Sequence, residues 1–206
     1  MPAKGAREYV FQGRDSFVRD PALLYGRERR KERIAVRLSV ADIRHPERTR
    51  LRKMTLAALL AASAVLLSPL SFPVGPSRCF PFQHAVNALA GVLLGPLWAC
   101  GAAFTASFVR NILGMGTILA FPGSLFGALA VGCVAGCLPQ RRRYLAALAE
   151  PAATATLGAW TASLIASPAE GREAMFALLS WAFLVSSGPG AVMGGVVLRV
   201  LQGRDS

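Results

Sequence analysis

The sequence predicts an all-α polytopic membrane protein with six transmembrane helices. A helix that crosses a bilayer needs about 20 mostly apolar residues. Lipid offers no partner for free backbone groups, so such segments become helices. The mean hydropathy of the chain is +0.44, even though its net charge is +12. The stretches without formal charge are residues 54–77, 79–109, 111–140, 151–169 and 174–198.

Turn-forming residues divide these stretches into six spans. Ser68-Pro69 ends the first span, and a connection rich in Pro, Gly and Phe follows over residues 71–84. Gly95-Pro96 separates the second span from the third, and the corner Phe121-Pro122-Gly123 precedes the fourth. Pro151 predicts a kink in the fifth span. The predicted spans are residues 54–70, 85–94, 97–113, 124–138, 144–165 and 173–201.

The distribution of basic residues favours six spans over five and predicts the orientation. Loops on the cytoplasmic side collect Lys and Arg, so the basic run at residues 48–53 places the N-terminus inside. With six spans, the triple-Arg turn at 141–143 and Arg199 also lie inside. With five spans, in which residues 79–109 form one helix, that turn would lie outside. We therefore expect both termini in the cytoplasm.

Three parts of the chain are predicted: a basic, partly disordered N-terminal extension at 1–53, a transmembrane domain at 54–201 and a tail at 202–206. The extension holds 15 Lys and Arg against 7 Asp and Glu. This excess is typical of a topology signal that contacts anionic lipid. No nucleic-acid partner is predicted, because a soluble nucleic-acid binder would not carry such long uncharged stretches. A cleaved signal peptide is disfavoured because further apolar segments follow.

Polar residues cluster at two places on the predicted outer side of the membrane. Polar groups inside a membrane are costly and tend to mark function, and aromatic rings beside a few hydrogen-bonding groups are typical of a small-molecule site. The amides and the imidazole rank first as ligand contacts, and Phe80 and Phe121 are the predicted stacking walls. The clusters are Arg78, Phe80, Phe82, Gln83, His84 and Asn87, and Arg110, Asn111, Thr117, Phe121 and Ser124.

These candidates also have structural interpretations. Arg78 and Arg110 can extend to the lipid headgroups, and His84 can cap the second span. Glu150 is the only carboxylate well inside a span, and it ranks lower because its predicted depth is nearer the cytoplasmic side. A salt bridge from Glu150 to the turn at 141–143 is the alternative to a ligand contact.

No enzyme activity, cofactor or metal site is predicted. His84 and Ser124 are the only plausible base and nucleophile of an intramembrane protease, and nothing in the sequence brings them together. The chain has no phosphate-binding GxxxxGK[ST] loop. No His or carboxylate lies in sequence reach of the cysteines to complete a metal site. The cysteines are Cys79, Cys100, Cys133 and Cys137.

Two segments carry recognisable motifs. Residues 68–87 read SPLSFPVGPSRCFPFQHAVN and are followed by ALAGVLLGP, and residues 110–127 read RNILGMGTILAFPGSLFG. Both are similar to the ThiW family, substrate-binding S components of energy-coupling factor (ECF) transporters assigned to thiazole uptake for thiamin synthesis. The resemblance covers residues 54–201.

The resemblance implies a six-helix S component in the cytoplasmic membrane of a bacterium. Its expected substrate is hydroxyethylthiazole, bound from outside, and its expected partners are a transmembrane T component and two ATPase subunits. Small residues let helix backbones approach closely, and the alanines of the first span fit the family's docking face; they serve internal packing otherwise. A pyrimidine precursor or thiamin as substrate, and a non-transporting membrane scaffold, stay open. These alanines are Ala57, Ala58, Ala61 and Ala62.

Overall fold

The computed structural model describes residues 46–74 and 77–203. The chain divides into two compact units, Met1–Arg48 and Thr49–Ser206, and the description below concerns the second. Nearly all of the predicted extension and the end of the predicted tail lie outside the described residues. The predictions made for them stay predictions.

The described residues are almost entirely helical, which confirms the all-α class. Gly95 joins the second helix to the third with a φ of 85°, a conformation that glycine adopts without strain. The turn predicted at Gly95-Pro96 is therefore present. The helices are α1 (Pro46–Leu66), α2 (Pro81–Leu94), α3 (Pro96–Ile112), α4 (Ala120–Cys137), α5 (Ala149–Ala153), α6 (Ala159–Ala166) and α7 (Arg172–Gly203), with short 3₁₀ turns at Ser68–Leu70 and Ala169–Gly171.

The fifth predicted span is one helical run that changes its geometry around Pro151. A 3₁₀ helix over Gln140–Leu148 leads into α5, a π-helical segment follows at Thr154–Gly158, and α6 completes the run. Proline has no N–H, and its ring clashes with the carbonyl four residues earlier. The predicted kink thus corresponds to a change from a tight to a wide helix. Such π segments are frequent at functional sites.

The connection at 71–84 contains a β-hairpin that the sequence analysis did not predict. Strands β1 (Phe72–Val74) and β2 (Ser77–Cys79) pair antiparallel, with Phe72 opposite Cys79. Helix α2 begins at Pro81, four residues before the predicted start of the second span, because proline suits the first turn of a helix, where an N–H would have no partner. Gln83 and His84 therefore lie on a helix and not in a loop.

The predicted corner at Phe121-Pro122-Gly123 was wrong, because these residues form the first turn of α4. Pro122 is tolerated there because the first backbone N–H groups of a helix have no intrahelical acceptor. Gly123 serves a close contact: a Cβ atom at Gly158 would lie only 2.7 Å from its Cα atom. The glycine that suggested a turn instead lets two helices touch.

Small residues also form much of the core. A Cβ atom at Gly91 would lie 2.6 Å from Val131 Cγ1, and one at Gly194 would lie 2.8 Å from Ala88 Cβ. Such contacts confirm internal packing for these glycines. In α1, Ala57, Ala61 and Ala64 are buried in an apolar cluster with α2, α3 and α4, whereas Ala58 and Ala62 are exposed.

Among the described helices, α4 and α7 are long and apolar enough to cross a membrane. Helix α2 has 14 residues, so it is about 21 Å long at 1.5 Å per residue, shorter than a hydrocarbon core of about 30 Å. Large apolar side chains face outward, and Leu66 and Leu97 are 79% and 81% exposed. The outer surface suits lipid, while the six spans and their orientation stay predictions.

Candidate ligand-binding site

A buried carboxylate joins α2, α4 and α5 near the middle of the bundle. Glu150 is 0% exposed, and its Oε1 contacts Nδ1 of His84. The sequence analysis gave the turn at 141–143 as the structural partner of Glu150, and that was wrong. The 3₁₀ geometry of Gln140–Leu148 turns three residues per turn, so α-helical spacing did not apply.

Two further side chains bond to the same carboxylate oxygen. Asn87 Nδ2 lies 3.4 Å from Glu150 Oε1 and 3.3 Å from the backbone oxygen of Ser124. Thr154 Oγ1 lies 3.2 Å from Glu150 Oε1 and 3.1 Å from the backbone oxygen of Gly123. Gln83 Nε2 donates to Asn87 Oδ1 over 3.2 Å. We call Gln83, His84, Asn87, Glu150 and Thr154 the carboxylate network.

A glycine makes room for this network. A Cβ atom at Gly127 would lie 2.5 Å from Thr154 Oγ1 and 2.6 Å from Glu150 Oε1. Real Cβ atoms do not approach other atoms so closely, so the carboxylate could not keep its position beside an alanine. Gly127 of α4 therefore holds open the space that Glu150 occupies.

A narrow cavity lies beside the network. Its volume is about 20 Å³, enough for roughly one water molecule. Gln83, His84 and Thr154 of the network form part of its wall, so hydrogen-bonding groups and aromatic rings face the same space. The lining residues are Arg78, Phe80, Gln83, His84, Arg110, Ala120, Gly123, Ser124, Thr154, Phe183 and Ser186.

Arg110 also lines the cavity. It lies in the last turn of α3 and is 0% exposed. Its guanidinium carbon lies 4.3 Å from the centre of the Phe80 ring, a cation–π contact. The atoms Nε, Nη1 and Nη2 have no hydrogen-bond partner within the described structure. Arg110 is therefore a fully buried cation whose donors are unused.

Helix α7 and the hairpin close the cavity from the side. Phe80 N donates to Ser186 Oγ over 2.8 Å, and the Cys79 thiol contacts the backbone oxygen of Ala182 at 3.5 Å. Burial raises the pKa of the Cys79 thiol, which favours its protonated, donating form. These contacts fix Phe80, the stacking wall, against α7.

The structure brings together most of the candidates from the first polar cluster and fewer from the second. Phe80, Gln83, His84 and Ser124 line the cavity, while Asn87 and Glu150 support its wall from behind. Phe82 of the first cluster is not a lining residue, and three candidates of the second cluster neither line the cavity nor belong to the carboxylate network: Asn111, Thr117 and Phe121.

These three residues organise the segment between α3 and α4 instead. Asn111 Nδ2 donates to the backbone oxygens of Ser107 and Thr117, over 2.9 Å and 3.3 Å. Phe121 packs against Phe104, with ring centroids 5.6 Å apart. Asn111 and Thr117 thus hold a turn that supports the end of α3, where Arg110 lies.

The sequence analysis missed several residues of the site. Thr154 follows Glu150 by four positions, a spacing that places both on one helix face, so this signal was present in the sequence. Phe183 and Ser186 of α7 line the cavity and had no such signal, because they lie about a hundred residues from α2. Arg110 was named in the second polar cluster, with an extension to the headgroups as the alternative, and its full burial does not agree with that alternative.

His84 and Ser124 both line the cavity, but they do not form a catalytic pair here. The Nδ1 atom of His84 contacts Glu150, so Nε2 is the atom that a base would use. Within the described residues, no hydrogen bond joins His84 to the Ser124 hydroxyl. A nucleophile needs its base within hydrogen-bond reach, so the geometry gives no support to a protease.

Apolar helices surround a small cavity with polar and aromatic walls, an arrangement typical of a membrane protein that handles a small molecule. The family model described as thiamine-precursor transporter protein (ThiW) matches residues 54–204 of the chain. The chain belongs to this family, which is a family of membrane transporters and not of enzymes. No curated protein and no solved structure matched the chain.

Proposed function

We propose that this protein is the substrate-binding membrane subunit of an ATP-driven ECF importer, and that its substrate is a thiazole-type thiamin precursor such as hydroxyethylthiazole. The observation that carries the proposal is the buried cavity between Phe80 and the carboxylate network. An aromatic wall beside a few hydrogen-bonding side chains suits a small polar aromatic ligand.

The cavity is too small to hold such a ligand without a change in its walls. A thiazole ring is larger than a cavity of about 20 Å³, so the walls must separate when the ligand binds. The wall that carries Phe80 follows directly on the hairpin, which is a short, two-stranded element. Two contacts with α7 hold this wall, from the Cys79 thiol to Ala182 and from Phe80 N to Ser186, so opening the site here requires that they break.

The proposed partners are a transmembrane T component and two ATPase subunits. An apolar groove of about 390 Å³ runs between α1 and α3, lined in part by Ala58 and Ala62. Small side chains permit close helix approach, so this groove is the proposed docking surface for the T component. Ala57 is buried in the core of the chain itself and contributes mainly internal packing, whereas Ala61 belongs to that core and also borders the groove.

We further propose six spans in the bacterial cytoplasmic membrane, with both termini inside. The support is the charge distribution: the triple-Arg turn at 141–143 is basic, whereas residues 167–172 carry one Arg and one Glu. Single cysteines, placed in a chain whose native cysteines are replaced, test the orientation. A membrane-impermeant reagent added outside should label residue 168 and miss residue 142, and the reverse pattern would reject the topology.

Direct binding tests the substrate assignment. Calorimetry on the purified full-length chain in detergent should show saturable binding of hydroxyethylthiazole, with the aminopyrimidine precursor and thiamin measured in parallel. Tighter binding of either of these would transfer the assignment to that ligand. A non-transporting scaffold predicts that none of the three binds, and this outcome would remove the transport proposal.

A further inference from the structure

The unpartnered guanidinium of Arg110 points to the chemistry of the ligand. The side chain is 0% exposed, and none of its three nitrogen atoms has a hydrogen-bond partner within the described structure. Burying a charge without an opposite charge or hydrogen bonds is strongly unfavourable. A buried cation retained in a membrane protein therefore marks a functional contact.

The surroundings of Arg110 compensate its charge only in part. The ring of Phe80 covers one face of the guanidinium, and the C-terminal end of α3 provides partial negative charge. The backbone oxygen of Arg110 is itself bonded by the N–H groups of Met115 and Gly116, over 2.9 Å and 3.2 Å. These contacts hold the residue in place, but they leave the N–H donors of its side chain free.

Glu150, the buried carboxylate of the same site, is not bonded to Arg110. Oε1 of Glu150 contacts His84, Asn87 and Thr154, and its Oε2 atom has no hydrogen-bond partner in the described structure. The pair of His84 and Glu150 has a net charge of zero as an ion pair or as two neutral groups, and a net charge of −1 when a neutral imidazole donates to the ionised carboxylate. In each of these states no salt bridge among the described residues joins Glu150 to Arg110, so the guanidinium donors stay without an acceptor.

We propose that the transported molecule carries an anionic group, a carboxylate or a phosphate ester, that pairs with Arg110. Guanidinium groups bind both anions with two parallel hydrogen bonds, and a hydroxyl group can neither accept both bonds equally well nor neutralise the charge. Arg78 lines the same cavity and is exposed, so a second cation stands at the exposed side of the site. The Phe80 ring packs against Arg110 and also borders the cavity, which places an aromatic surface beside the anion position.

This inference rests on the proposed function for the thiazole ring. It adds the chemistry of the substituent that the ring carries. Three ligands with the same ring separate the alternatives: the hydroxyethyl alcohol, its phosphate ester and the corresponding acetic acid. Each is titrated calorimetrically into the full-length chain in detergent. At least one anion should bind at least about tenfold more tightly than the alcohol, because charge-assisted hydrogen bonds are roughly twice as strong as neutral ones. The tighter anion identifies the group.

The variant Arg110→Gln should remove this preference and bring the affinities of anion and alcohol to within about threefold of each other. Arg199→Gln is the matched control. Arg199 is an exposed arginine over the Tyr144 ring, and it lies thirteen residues, about 20 Å, along α7 from Ser186. The control should keep the full preference for the anion.

The outcomes distinguish this inference from the proposed function. If the alcohol binds the unmodified chain as tightly as both anions, the inference is overturned and thiazole transport stands. An undiminished anion preference in Arg110→Gln would equally overturn it. If no thiazole compound binds, the proposed function fails. Should Arg110→Gln not fold, Arg110→Lys keeps the charge and loses the two-pronged geometry, and its preference should be reduced but not abolished.

Discussion

Two buried charged residues at the cavity, Glu150 and Arg110, differ in the number of partners that their side chains have. Glu150 has three partners on Oε1, although its Oε2 atom has none in the described structure, whereas no side-chain nitrogen of Arg110 has any. This difference teaches that the Oε1 contacts are part of the fold itself, while the guanidinium donors of Arg110 are left available to a ligand.

Mutations in the carboxylate network and at Arg110 should therefore affect stability and binding differently. Damage to the carboxylate network should lower both stability and binding, because its donors lose an acceptor in a dry interior. Damage to the Arg110 side should change binding and specificity while stability is kept or improved, since a buried unpaired charge is removed. The predictions below test this comparison, beginning with the largest expected effect.

Glu150→Ala should have the largest effect. It removes the partner of His84 Nδ1 and one of the two acceptors of Asn87 Nδ2 and of Thr154 Oγ1, which keep the backbone oxygens of Ser124 and Gly123. A buried donor left without a partner costs about 1–3 kcal/mol. Binding of the tightest thiazole ligand should fall by at least about 100-fold, and the thermal unfolding midpoint in detergent should fall as well. Glu150→Gln retains an acceptor oxygen and should show a smaller loss in both measurements. A normal midpoint in Glu150→Ala would contradict the role of the network in the fold.

Gly127→Ala should damage the network without touching its polar atoms. The new Cβ atom would lie 2.6 Å from Glu150 Oε1, so the carboxylate must move away from its donors. We expect binding to weaken by about tenfold or more and the unfolding midpoint to fall, since overpacking costs about 1–3 kcal/mol. Gly136→Ala lies on the same helix, where a Cβ atom meets nothing within 4 Å, and it should leave both quantities unchanged. Equal effects of the two variants would reject the close contact.

How far the sequence could predict this site depends on the distance along the chain over which its contacts form. The polar positions of α2 were visible because Gln83, His84 and Asn87 interrupt an otherwise apolar stretch. Their contact with Glu150 was not visible, because it joins residues 66 apart across two helices whose rotation depends on packing. The 3₁₀ helix before Glu150 changed that rotation further, since its turn differs from the α-helical one.

The fold shows the same division between local and long-range information. Apolar stretches, Gly95-Pro96 and Pro151 have local effects, so the helical class, the turn and the change of helix geometry were predictable. Gly123 and Gly127 have the same composition signal as turn glycines. Their real role is to let Gly158 and Glu150 approach, and a single sequence does not contain the identity of the partner.

Asn87→Ala and Asn111→Ala compare two asparagines that the sequence analysis ranked alike. Asn87 supports the cavity wall through Glu150 and Gln83, so its loss should weaken ligand binding by about 5- to 150-fold. Asn111 bonds to the backbone of Ser107 and Thr117 and does not line the cavity. Its replacement should change the affinity by less than about threefold and lower the unfolding midpoint. Calorimetry and thermal unfolding on both variants decide whether the two clusters form one site.

Ala62→Leu should have the smallest effect on ligand binding. It therefore serves as the reference for the variants in the carboxylate network and at Arg110. Ala62 lies in the groove between α1 and α3, away from the carboxylate network and Arg110. Ligand affinity of the isolated chain should stay within about twofold of the unmodified value. Association with a T component, measured by co-purification from the membrane, should be lost, because a leucine prevents close helix approach.

Ala57→Leu is the counterpart of that change on the other face of α1. Ala57 is buried in the apolar cluster that also holds residues of α2, α3 and α4, so the larger side chain overpacks the core and should lower the unfolding midpoint, at a cost of about 1–3 kcal/mol. Loss of partner binding in Ala57→Leu with a normal midpoint, together with unchanged association in Ala62→Leu, would move the docking face to the buried alanines. The opposite pattern assigns docking to the exposed alanines and leaves the cavity as the site of ligand recognition alone.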